Sequence, residues 1–133
     1  MAPTATEPAT PTIGRLIYDG DCGFCTATAS WFGRRRKASE VAVQPWQALD
    51  LDRFGLTERQ TRTEVWWVDA EGHNHGGHRA VSRALEAMGG AWSLAGRLLR
   101  LPPASWAAAL AYRLVARNRH RLPGSTDACR LDP

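Results

Sequence analysis

Apolar residues follow two rhythms along this chain, and the changes between them mark out its elements. Leu16, Ile17 and Tyr18 form a short apolar run that ends at the turn-like Asp19-Gly20-Asp21, as a buried strand would. From Cys22 to Arg36 there is no proline, and Phe24, Thr28, Trp31 and Arg35 share one helical face, so the segment reads as a helix. Val41-Ala42-Val43-Gln44 alternates with period two and stops at Pro45, predicting a second strand parallel to the first through a right-handed crossover. Asp50 to Gln60 is a weak helical region broken by Gly55. Val65-Trp66-Trp67-Val68 is the strongest strand signal, and the turn Asp69-Ala70-Glu71-Gly72 leads from it to a poorer strand around His73 to Gly77, as an antiparallel hairpin.

Ala80, Val81, Ala84, Leu85 and Met88 then recur at helical spacing, and Gly89-Gly90 supplies the stop. A further helix is expected from about Trp92 to Leu101, closed by Pro102-Pro103. Another runs from about Ala104 to Arg119, with Ala107, Leu110, Ala111, Leu114 and Val115 as its apolar face. The order predicts an α/β fold: a four-stranded mixed sheet flanked by helices, with two additional C-terminal helices. The tryptophans fall in these elements and read as core, except that Trp66 and Trp67 must point to opposite faces of one strand.

Composition narrows the class. With 133 residues, 44% hydrophobic and 23% charged, the chain is one globular domain, expected over 13–133 behind a disordered Ala/Thr/Pro tail at 1–12. That tail lacks the basic and apolar regions of a secretory signal, and no apolar run reaches the length of about 18 residues that a membrane span needs. A cytoplasmic monomer is the expectation. Net charge is +4 and every base but Lys37 is arginine. Arg34-Arg35-Arg36-Lys37 suits a helix C-terminus. Arg113, Arg117, Arg119 and Arg121 read as a solvated helix face, without the interleaved aromatics of a nucleic-acid site, so no nucleic-acid partner is expected.

Chemistry concentrates at Cys22-Gly23-Phe24-Cys25, a C-x-x-C between a predicted strand and a predicted helix, which is the context of a redox pair. Residues i and i+3 of a first helical turn hold their Cβ atoms about 5 to 6 Å apart, so a modest tightening reaches disulfide distance. Unpaired N–H groups at a helix N-terminus stabilise a thiolate. On this reading Cys22, at the mouth of the helix, is the exposed nucleophile with a depressed pKa, and Cys25 is the resolving thiol. Asp21 is expected to cap the helix, with Gly23 in its first turn. Asp19 is a candidate buried proton acceptor for Cys25.

Tyr18-Asp19-Gly20-Asp21-Cys22-Gly23-Phe24-Cys25 resembles the signature of the DCC family of thiol-disulfide oxidoreductases. The resemblance extends to Val65–Val68 with Asp69 and Gly72, to Tyr112–Leu122, and to the tail Cys129-Arg130-Leu131. It implies a thioredoxin-like fold and dithiol-disulfide exchange, with Cys22 and Cys25 as the redox pair and Asp19 as the accompanying acid. It implies no substrate. The thiol or disulfide substrate, protein or small molecule, and the recycling reductant are both unidentified. Unlike thioredoxin, the chain has Asp21 in place of Trp, Gly23-Phe24 in place of Gly-Pro, and no proline before Val65, where Thr63 and Glu64 stand instead.

The rival reading is a non-catalytic module whose cysteines hold zinc or act as a redox-sensitive clasp. His73, His75, His78, His120 or Cys129 would complete such a metal site. Against it, there is no second C-x-x-C and no zinc-finger histidine spacing, so no metal and no cofactor is expected, and the histidines read as surface groups of a Gly-rich turn. Cys129 could also be a third redox thiol.

Overall fold

The computed structural model describes residues 13–35 and 40–122. Four strands, β1 (Gly14–Tyr18), β2 (Val41–Pro45), β3 (Trp66–Asp69) and β4 (Asn74–Gly76), form one mixed sheet in the order β2-β1-β3-β4. β1 and β2 are parallel, with Leu16 opposite Val43, whereas β3 runs antiparallel to both β1 and β4. The helices are α1 (Gly23–Gly33), α2 (Glu58–Thr63), α3 (His78–Met88), α4 (Gly90–Leu98) and α5 (Ala104–Asn118). This is the expected α/β, thioredoxin-like arrangement with two helices added at its C-terminal end. The tail at 1–12 lies outside the described residues, as do Arg36, Lys37 and Cys129. Among the described residues no helix is long and apolar enough to cross a membrane.

Strand alternation sorts the core onto two faces. Leu16 and Trp67 turn to one side, where they meet Phe32, Val41, Ala80 and Ala84 beneath α1 and α3. Ile17 and Val68 turn to the other, against Leu56, Trp46, Leu49, Leu51, Phe54 and Trp66. Gly14 is needed opposite Trp67, because a Cβ there would stand 2.5 Å from the indole ring.

Local chemistry explains where the boundaries moved. The weak region at Asp50–Gln60 resolves into a 3-10 turn at Leu51–Phe54, a left-handed Gly55, and α2. α2 begins only at Glu58, because Thr57 and Gln60 form a capping box there. α1 ends at Gly33, and the Arg35 guanidinium reaches back to donate to the Trp31 carbonyl at 3.1 Å while lying over its ring. Two expectations of burial fail. α5 has no buried residue, and Leu110, Leu114 and Val115 are exposed. Trp92 and Trp106 are exposed too, at 46% and 70%, so the tryptophans are not uniformly core. Helical periodicity describes a face, and it does not tell whether another element covers that face.

The hairpin is organised by Asp69. Its Oδ1 accepts the N–H groups of Glu71 at 3.0 Å and His73 at 2.8 Å, and its Oδ2 lies 3.0 Å from His75 Nε2. Partial burial acts to raise its pKa, but the bonds from His75 and His73 and the nearby His73 charge outweigh it and hold the carboxyl at about 2. The folded value is therefore below the unfolded one, so the stabilisation is present above about pH 4 and is lost as pH falls toward 2. We expect Asp69→Asn to cost about 1 kcal/mol at pH 6, allowing for solvent screening, and to lose less stability than wild type between pH 4 and 2. Thermal melts across that range test this. Parallel pH curves for the two proteins would refute it.

Candidate active site

The end of β1 and the start of α1 place the site. Asp19 leaves the strand and is 4% exposed. Its Oδ1 accepts from the backbone N–H of Asp21 at 3.0 Å, Trp46 Nε1 at 3.2 Å and Gln47 Nε2 at 3.0 Å. The carboxylate thus ties the β1–α1 turn to the segment after β2. Asp21 lies in the turn and is not the helix cap. That position belongs to Cys22, whose Sγ accepts the N–H of Cys25 at 3.5 Å, with Gly23 as the first helical residue.

The two cysteines are close but differently placed. Cys22 is fully buried, contrary to the expectation of an exposed nucleophile. Cys25 is a half-buried free thiol that opens onto a groove of about 460 Å³. Because Cys25 is free, the two sulfurs are not joined to each other in this structure. Burial at the helix mouth, which spacing cannot reveal, is what reverses the expected exposures.

Sequence reasoning missed the third member of the site. Arg119 read as part of a solvated stripe, yet it is 4% exposed, while Arg113, Arg117 and Arg121 do face solvent. Its Nη1 donates to Cys25 Sγ at 3.3 Å and its Nη2 to the carbonyl of Arg62. A usable signal existed: Tyr112 and Arg119 stand seven residues apart, two helical turns, in a segment already singled out by resemblance. Tyr112 is the other anchor, its hydroxyl accepting the N–H of Val65 at 2.9 Å just before β3. The carbonyl of Val65 accepts from Gly77, whose positive φ turns the chain from β4 into α3. Val65 is therefore fixed through both its N–H and its carbonyl where the chain enters β3.

Burial favours the neutral forms of four groups in the groove wall, Cys25, Glu64, His78 and Tyr112. Burial pushes the Cys25 thiol up, the Asp19 charge adds to that, and the Arg119 charge and hydrogen bond oppose both. Burial also raises Glu64 and lowers His78, and it lifts Tyr112 to about 12. Among the described residues no histidine groups with both cysteines at metal-ligand distance. His73 and His75 belong to the Asp69 hairpin, and His78 lines the groove. Among the described residues the one set of three possible metal ligands is Asp69, Glu71 and His73, which contains neither cysteine.

No curated protein and no solved structure matches the chain. A family model does, over residues 16–125, a span that includes the last three residues of β1, the cysteine pair, the hairpin and Arg119. The chain belongs to the DCC1-like thiol-disulfide oxidoreductase family.

Proposed function

We propose that the protein is an enzyme that exchanges dithiol for disulfide through Cys22 and Cys25, with Cys25 as the thiol that meets substrate. The observation that carries this reading is the placement of Cys25. It is a free thiol on a groove wall, beside a buried arginine, one helical turn from a second sulfur. The Cys25 thiolate attacks a substrate disulfide, forming a Cys25 mixed disulfide and releasing one thiolate, which takes up a proton. Reduced Cys22 then attacks Cys25 Sγ, closing the Cys22–Cys25 disulfide and releasing the second thiol. Two electrons have passed to the substrate, and an external dithiol reductant restores the pair. Arg119 favours the thiolate on Cys25, and Asp19 holds the turn and takes the proton that Cys25 gives up. The working compartment is a reducing one such as the cytoplasm, where thiols persist.

Single serine variants test the order of attack. Cys22→Ser is expected to accumulate a mixed disulfide at Cys25 when given a small disulfide, because the resolving thiol is gone, and Cys25→Ser is expected to accumulate none. Intact mass and peptide mapping read the outcome. Accumulation in Cys25→Ser alone would restore Cys22 as the attacking thiol. Turnover that survives either substitution would remove the exchange reading.

A further inference from the structure

We propose that the groove beside Cys25 binds an apolar arm of the substrate, so that the substrates are low-molecular-weight disulfides carrying a hydrophobic chain. The inference rests on the reading of Cys25 as the exchanging thiol and adds the substrate class.

Three observations converge on it. The groove has the volume of a small-ligand site, which typically spans about 300 to 1,000 Å³. Its surface is almost wholly apolar, and its lining includes Phe24, Trp31, Leu85 and Met88 together with Cys25 and Arg119. α5 forms one wall yet buries none of its own residues, because the side chains it turns to the groove include Ala108 and Ala111, too short to reach the opposite wall. An apolar occupant would complete the burial that α5 lacks. The same walls argue against a peptide, whose backbone N–H and C=O groups would lose water and find almost nothing to pair with. The bias of Cys25, Glu64 and His78 toward their neutral forms agrees with a site made for an uncharged arm.

In the exchange, the Cys25 thiolate attacks the sulfur that bears the arm. The substrate S–S bond breaks as the Cys25–S–S–arm bond forms, and the other half leaves as a thiolate and is protonated by water. Each methylene that enters the groove adds to the binding that precedes attack.

The probe is a series of methyl, butyl and hexyl methanethiosulfonates, which deliver methylthio, butylthio and hexylthio groups to a thiolate and release methanesulfinate. The reduced full-length chain is used, and mapping assigns the adduct to Cys25. The rate at Cys25, divided by that of a free thiol with the same reagent, is expected to rise about tenfold or more from methyl to hexyl. Decyl methyl thioether, which has an arm but no exchangeable sulfur, is expected to protect Cys25. Ala111→Trp, which fills the groove, should flatten the series, while Trp106→Ala on the exposed face of α5 should leave it unchanged. Equal normalised rates across the series with no protection by the thioether would overturn the inference while leaving the exchange reading intact. A graded series and protection in a protein whose cysteines never complete a cycle would uphold the site and remove the exchange reading.

Discussion

Replacing Arg119 by methionine is expected to slow alkylation of Cys25 by iodoacetamide at pH 7.5 by about tenfold or more. Burial, helped by the Asp19 charge, drives the Cys25 thiol upward, and the guanidinium 3.3 Å away is the main influence in the other direction. A hydrogen bond to a charged group contributes about 1.5 to 3 kcal/mol, a factor of about ten or more in an equilibrium constant, so its loss pushes the Cys25 thiol further up. At a pH below the pKa the thiolate fraction falls by the same factor. The alkylation pH profile should therefore move to higher pH while keeping its plateau, and Arg119→Lys should recover part of the shift. A profile that does not move would show that Arg119 serves structure alone. Some destabilisation accompanies the change, because the Arg62 carbonyl loses a donor, and a melt of the same variant measures it separately.

Trp67→Ala is expected to remove about 3 to 5 kcal/mol of stability, the ordinary loss for deleting a buried aromatic side chain. Trp67 is 2% exposed at the centre of the larger core cluster, packed on Gly14, so nothing nearby can collapse into the space without moving β1. Measured against the roughly 5 to 15 kcal/mol that holds a typical domain together, this is a large fraction, and the melting temperature should fall by roughly 10 to 20 °C. The internal control is Trp106→Ala, the same chemical deletion at a 70% exposed position, which should shift stability by no more than about 0.5 kcal/mol. Similar losses in both variants would contradict the assignment of the core.

These two residues also mark what the sequence does and does not reveal. β1, β2 and β3 were legible because each is a short β-rich run ended by Asp-Gly, Pro or a turn, and alternation along β3 correctly separates Trp66 from Trp67. The cysteine pair and Asp19 were legible as local spacing. Trp92, Trp106 and the apolar positions of α5 were misread, since a helical period says that a face exists and not whether a partner is available to cover it. Arg119 was misread for the complementary reason. It lies 94 residues from Cys25, and only the packing of the chain end against α1 turns one arginine among sixteen into a neighbour of the thiol. The burial of Cys22 is likewise tertiary, invisible to any argument from helix position.

The Tyr112–Val65 bond and the Arg119 contacts bear on how α5 moves. A helix none of whose residues is fully buried, held by polar bonds near its middle and just beyond its end, has less apolar area to expose on lifting away than a core element has. Its opening is therefore separate from global unfolding and far less costly, so its backbone amides exchange with solvent deuterium long before those of β1 and β3.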